Sequence, residues 1–271
     1  MQIKHLFGVV LIGLLVSIVS FISAFAAPRQ PLYGTVVVID PGHGGRDPGA
    51  HGVFIDPQTR ERVTVDEAPY VFDVAKRLRD QVRALGGIAL MTRYNAKQPA
   101  PINLQPNRVL PFLHESDVYT IGKTQARALT AGMIPRLALV KDASRRYPKH
   151  RIFFVSIHFD AERNKALEGT NVIAPRELPE IANSIISAFR AEGRARTLNG
   201  AEYYPVIQNG SVRNLYILDG RNNPLSQRIL IELGNFSNPD DVWRLRNPTV
   251  RTDYARIIAR GLANLNTELA R

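Results

Sequence analysis

The sequence predicts an α/β fold in a single domain: a twisted, mostly parallel or mixed sheet of about six strands flanked by helices, with the functional site at the carboxyl ends of the strands. Three observations carry that expectation. β-branched apolar runs alternate along the chain with segments whose apolar residues recur every three or four positions, the pattern that packs helices over a sheet. The 271 residues are 45% hydrophobic and 22% charged, enough for one large core, and they show no internal repeat and no second composition regime. Two of the strand-like runs end in a histidine, and open α/β sheets gather ligands at that end of their strands.

The first 26 residues are expected to lie outside the fold. Lys4 and His5 open a short polar start, an apolar run follows from Leu6 to Ile22, and Ala24-Phe25-Ala26 has the small-x-small form of a signal-peptidase site, so cleavage is expected after Ala26. An uncleaved membrane anchor is the alternative reading of the same run. Either way the chain is expected to work in a periplasmic or extracellular setting. Residues 27–34 read as a linker and residues 35–271 as the folded domain.

Thr35–Asp40 is apolar, β-branched and closed by Pro41-Gly42, hence a buried strand. From Asp66 to Leu85, Val71, Val74, Ala75, Leu78 and Val82 share one helix face, and Pro69 falls in the first turn, where a missing N–H costs nothing. Ile88–Thr92 and Arg151–Ile157 are the second and third strands. Between them, residues 94–150 read as an insertion. Its irregular first half holds Pro99, Pro101, Pro106 and Pro111; its second half predicts a helix from Lys123 to about Arg146 and ends in a basic run to Arg151. By its length and prolines it is a candidate lid or partner surface. Gly169–Ala174 and Gln227–Leu233 read as strands, Leu178–Arg194 and Val250–Leu269 as helices. Asn238 before Pro239-Asp240-Asp241 is a helix start, with Asn as cap and acids on the positive end.

Lys plus Arg number 35 against 24 Asp plus Glu, a formal charge of +11, so the chain will seek acidic partners. There is no cysteine, which removes disulfides, thiolate metal sites, cysteine nucleophiles and a lipid-modified N-terminus. Any metal must be held by His, Asp or Glu.

Asp40-Pro-Gly-His43-Gly-Gly-Arg-Asp-Pro-Gly-Ala50 sets one His among glycines at the end of a buried strand, leaving the imidazole open to a ligand. A phosphate loop would need Gly-Lys-Ser or Gly-x-Gly-x-x-Gly, and neither occurs. His158, in Ser156-Ile157-His158-Phe159-Asp160-Ala161, lies just beyond the last apolar residue of another strand, so both histidines can converge. Without cysteine a third ligand should be a carboxylate, which would give the His₂Glu set of hydrolytic zinc. Glu67 is the first choice and Asp66 the rival, with helix capping as the bland alternative for either. Glu232 sits in the apolar strand Ile229–Leu233. A carboxylate there needs a partner, either as general base beside a metal or as one half of a buried ion pair.

These motifs together resemble the zinc-dependent N-acetylmuramoyl-L-alanine amidases of the type-3 amidase family. The resemblance spans Val36 to about Leu265 and rests on Asp40–Ala50, on Glu67 with Ala75 and Leu78, on Met91-Thr92-Arg93, on Ser156-Ile157-His158 with Ala161, and on Ile231-Glu232-Leu233-Gly234 running to Phe236-Ser237-Asn238 with one residue inserted before Phe. It implies zinc held by His43, Glu67 and His158 at the strand carboxyl ends, and Glu232 as the catalytic base. It also implies hydrolysis of the bond between N-acetylmuramic acid and the L-alanine of the stem peptide. The interval from His43 to Glu67 is longer than the family's usual spacing, residues 53–65 being the extra. A catalytically inactive peptidoglycan-binding module and a zinc peptidase acting within the stem peptide are the alternatives.

Peptidoglycan, through its carboxylates, is the expected acidic partner. Nucleic acid is not expected, an activator protein is a further candidate partner, and a monomer is the expected state. Asn214, just before the strand that should border the cleft, Arg93 and His51 are candidate substrate contacts. His114 and His150 read as surface residues, and Trp243 and Tyr203-Tyr204 as core or groove aromatics.

Overall fold

Val36, Val37, Val38 and Ile39 are all fully buried, so the strand that carries them, β1 (Thr35–Pro41), runs through the middle of a sheet covered on both faces. The computed structural model describes residues 30–271 except 96, 113–116, 122–123, 129–131, 200 and 203–214; the apolar run and cleavage motif expected before Ala26 lie outside them. After β1 come β2 (His51–Ile55), β3 (Arg62–Asp66), α1 (Glu67–Ala84), β4 (Ile88–Met91), β5 (Asp117–Ile121), β6 (Thr124–Ala128), α2 (Met133–Arg146) and β7 (Arg151–Asp160). There follow β8 (Leu167–Glu168), β9 (Asn171–Ile173), α3 (Pro179–Arg190), β10 (Thr197–Leu198), β11 (Ala201–Glu202), β12 (Gln227–Asn235), α4 (Pro239–Arg246) and α5 (Pro248–Glu268).

The central sheet has the order β4-β1-β7-β12-β9. Its first four strands are parallel, and β9 runs antiparallel to β12. Strand alternation divides the core in two. Val37, Ile39, Phe153, Val155, Ile157, Ile229 and Ile231 pack with α1, α3 and α5, whereas Val36, Val38, Phe154 and Leu230 pack with Leu137, Val140 and Ala143 of α2 and with Ile217, Leu218 and Leu225.

Several boundaries depart from expectation. The central sheet has five strands among the described residues, not about six. The predicted helix from Lys123 starts instead at Met133, and residues 124–128 form β6, paired with β5. Pro135 explains the start, because it falls in the first turn of α2; a helix begun at Lys123 would bury it mid-helix and break a hydrogen bond. α3 ends at Arg190, where Gly193 and Arg194 turn back to hydrogen-bond Arg190 and Phe189. Leu32, expected in the linker, is fully buried and its N–H donates to Leu85, so the compact unit begins at Pro31.

The proline-rich half of the insertion is irregular but strapped down. Lys76 Nζ donates to the carbonyl of Ala100 (2.7 Å), Arg77 to Ile102 and Asn103, and Arg251 to Ile102. All three cations surround the buried Asp73, which also accepts the Ile102 N–H. Residues 53–65 form most of the β2–β3 hairpin. At the strand amino ends Asn266 of α5 donates to the Pro31 carbonyl, 2.9 Å. Among the described residues no helix is long and apolar enough to cross a membrane.

Candidate metal centre

β1 and β7 pair from Thr35 with Arg151 to Pro41 with Ile157; β1 then gives way to a loop while β7 continues to Asp160, and the residues just beyond the pairing lie side by side. They are the glycine loop with His43, and His158. Gly42 donates to the Ile157 carbonyl at 2.8 Å, and a Cβ on Gly42 would lie 2.3 Å from the His158 ring, so only glycine lets the loop and the imidazole share this space. The third arm is Glu67, the first residue of α1. Loop carbonyls cap that helix: Glu67 N–H donates to Ala50 and Ala68 N–H to Pro48, each at 2.9 Å. Asp66 makes no side-chain cap and pairs instead with His51 Nδ1 at 2.5 Å, whereas Glu67 is the acid that faces the two histidines.

The ligand atoms of His43, Glu67 and His158 all lie within 4.8 Å of one another. His43 Nε2 is 3.2 Å from Glu67 Oε2 and 3.2 Å from His158 Nδ1, and His158 Nδ1 is 3.4 Å from Glu67 Oε1. Ligands about 2.0–2.1 Å from a tetrahedral zinc would stand roughly 3.3 Å apart, so the donor set fits that ion in type and in spacing. Glu67 is 2% exposed, and its oxygens also accept the N–H groups of Ala50 and Phe159, both at 2.9 Å. Burial pushes its pKa up, but hydrogen bonds and charge from His158 and His43 outweigh that and hold it at about 2, a carboxylate ready for a cation. For His43, burial pulls down, and Glu67 and then Asp47 raise the net value above the usual one.

His43 is oriented by residues outside the ligand set. Its Nδ1 meets Asp47 Oδ2 at 2.9 Å, leaving Nε2 to face Glu67, and Asp47 Oδ1 in turn accepts the Gly49 N–H at 3.0 Å. Its backbone is in the left-handed region, φ +57°, at a cost on the order of 1 kcal/mol. Arg136 of α2 holds that backbone: Nη1 donates to Pro41 (2.6 Å) and Nη2 to His43 (2.6 Å), while Nη1 also meets Asp40 Oδ1 at 2.7 Å. Asp40 is 1% exposed and accepts from Thr92 (2.5 Å) and Ser156 (2.8 Å) as well. Burial raises its pKa and Arg136, with the two hydroxyls, brings it below the ordinary value.

Glu232 of β12 pairs in register with His158 of β7. It stands one strand away, roughly 4.8 Å in backbone spacing, and is 6% exposed. A register shift between Glu232 and Asn235 absorbs one additional residue against β7, which accounts for the inserted position before Phe236. The four main candidates thus converge. Arg93 is buried beneath the loop, donating to the Gly42 carbonyl at 2.7 Å and stacking on Phe72. His51 lies at the rim of the site, more than half exposed. Asn214, His114, Tyr203 and Tyr204 lie outside the described residues. Sequence reasoning missed Asp47, Asp40 and Arg136 as the parts that aim His43.

The arrangement can hold a divalent cation beside a buried carboxylate, the equipment of a metal-assisted hydrolase. Comparisons with known proteins agree. The chain is 23% identical over 238 residues to the germination-specific N-acetylmuramoyl-L-alanine amidase of Bacillus subtilis strain 168, covering 88% of this chain and 82% of that one. Its fold is shared by the CwlD amidase of Clostridioides difficile, solved in complex with the GerS lipoprotein, with a TM-score of 0.55, 19% identity and coverage of 86% of this chain and 98% of that one. The amidase Ami1 of Mycobacterium smegmatis gives a TM-score of 0.53 at 20% identity, over 88% of this chain and 99% of that one. The profile of the N-acetylmuramoyl-L-alanine amidase family matches residues 37–264, and the chain belongs to that family of enzymes.

Proposed function

We propose that this chain is a zinc-dependent peptidoglycan hydrolase, exported to the periplasm or cell wall, that cuts the amide bond between N-acetylmuramic acid and the L-alanine of the stem peptide. The observation that carries the reading is the His43–Glu67–His158 group, at tetrahedral spacing, beside the buried Glu232. A zinc ion held by those three side chains would polarise the scissile carbonyl and acidify a water molecule. Glu232 takes a proton from the attacking water on its carboxylate and delivers it to the amide nitrogen as the C–N bond breaks. The lactyl group of muramic acid leaves as a carboxylic acid and the peptide as a free amine. Asp47 keeps the His43 ring turned so that Nε2 faces inward throughout.

Export is supported by the apolar run Leu6–Ile22 and the Ala24-Phe25-Ala26 motif. An activating partner that raises the activity of the chain above its own basal level belongs to the same proposal, since the Clostridioides difficile amidase is in complex with a lipoprotein. Zinc content and release of stem peptides from muropeptides, measured on the wild type and on Glu232→Gln, test the reading together. About one zinc per chain is expected in both, with peptide release falling roughly 10²–10⁴-fold in the variant. A metal-free wild type that binds the wall without cutting it would make this a binding module, and trimming inside the peptide would make it a peptidase.

A further inference from the structure

We propose that the groove between β2 and the loop after β7 seats the stem peptide, and that Lys165 reads a free carboxylate on the residue that follows the L-alanine. The inference rests on the amidase reading and adds a specificity residue to it. The groove measures about 300 Å³ and is lined by Ala50, His51, Phe54, Ala161, Lys165 and Phe236, among others. It abuts the metal centre directly, because the Ala50 N–H donates to Glu67 Oε2 at 2.9 Å and Ala161 lies three residues past His158. Phe236 leaves the end of β12, the strand that carries Glu232. The nitrogen that Glu232 protonates belongs to the peptide, so the peptide departs on this side of the site.

The lining has the chemistry for that ligand. Ala50, Gly52 and Ala161 leave room in it, and Phe236 with Phe54, at 5.4 Å between ring centres, gives an apolar wall. Among the described residues no carboxylate lines it. Of its two basic side chains, His51 is already matched by Asp66, 2.5 Å away. Lys165 is exposed and makes no ion pair among the described residues. Its backbone, by contrast, is pinned. The Asn238 side chain donates to the Lys165 carbonyl and the Asn235 side chain to the Asn164 carbonyl, each at 2.9 Å. The ammonium is therefore carried on a flexible stem that springs from a loop fixed to the end of the catalytic strand and to the start of α4, so that its reach covers the groove.

The experiment compares two synthetic muropeptides, identical except that the carboxyl of the residue after L-alanine is free in one and a carboxamide in the other, cut by the zinc-loaded full chain. For the wild type kcat/KM is expected to favour the free acid roughly tenfold, the size of a hydrogen bond to a charged group. Lys165→Gln is expected to bring the ratio to about one, and Lys165→Arg to keep most of it. A wild-type ratio of about one, or a preference that survives in Lys165→Gln, overturns the assignment of Lys165 while the amidase reading stands. Failure of the wild type to cut either substrate overturns the amidase reading itself, and the subsite with it.

Discussion

Arg136 is enclosed and gives its guanidinium to Asp40 and to the carbonyls of Pro41 and His43, so Arg136→Met would leave the Asp40 carboxylate buried with only Thr92 and Ser156. Breaking a buried pair in this way should cost about 3–5 kcal/mol in urea unfolding. In the molecules that stay folded, zinc affinity by chelator competition should fall roughly 10–100-fold, the usual effect of removing a group that orients a ligand. Arg136→Lys should recover only part of this, since one ammonium does not reproduce a planar fork with three acceptors. Unchanged zinc affinity would show that the loop keeps its shape without Arg136. His43, Glu67, His158 and Glu232 stood out as candidates in the sequence because each sets a polar group against an apolar run or at the edge of one. Arg136 was not, although it shares an apolar helix face with Val140 and Ala143, the same conflict that marks Glu232. Its partner Asp40 is 96 residues away, and only the packing of α2 on the sheet shows the pair. Asp47 had a signal in the His-x-x-x-Asp spacing of the loop itself.

The helix α1 illustrates how an element does more than bury an apolar face. One side carries Val71, Val74 and Leu78 into the core, as its spacing predicts, while Asp73, Lys76 and Arg77 form the seat of the proline-rich strap. That second role could not be read from periodicity, because the strap supplies backbone carbonyls and these have no sequence signature. Burial pushes the Lys76 ammonium from 10.5 down to about 8. Between those values the folded protein binds fewer protons than the unfolded chain, so stability relative to Lys76→Met should rise as pH climbs from about 8 to about 10.5. Below about pH 8 the burial cost is fully present in the wild type and the difference should be constant. Urea midpoints of the two proteins across this range check the point, and a flat difference would mean that the ammonium is well solvated. Deleting residues 95–112 should likewise destabilise the whole domain rather than trim a surface loop, because it strands Lys76, Arg77 and Arg251 around one aspartate.

At the scale of the molecule, the alternating pattern predicted the single α/β domain and the end of the sheet at which the site lies. It did not show the five-strand count or the start of the fold at Pro31, since both depend on which short segments find a neighbour. The three proposed metal ligands come from a loop, a helix and a strand, so on this proposal the unfolded chain offers no comparable site and binding adds to stability. With free zinc a hundredfold above Kd the gain is about 2.7 kcal/mol. Stripping the metal with a chelator should therefore lower Tm by roughly 5–10 °C in a domain of this size. Calorimetry of loaded and stripped protein measures it, and equal transitions would mean that the folded chain binds zinc no better than the unfolded chain.

The hydrogen bond from Asn266 to the Pro31 carbonyl places the beginning of the folded unit beside the last turns of α5, at the strand amino ends. Within the compact unit, the site lies at the strand carboxyl ends and Pro31 and the end of α5 at the strand amino ends, which makes this a natural unit for attachment. A linker, a display scaffold or a solid support joined just before Pro31 or after α5 would present the cleft outward, whereas a graft into the β2–β3 hairpin would hang over its mouth.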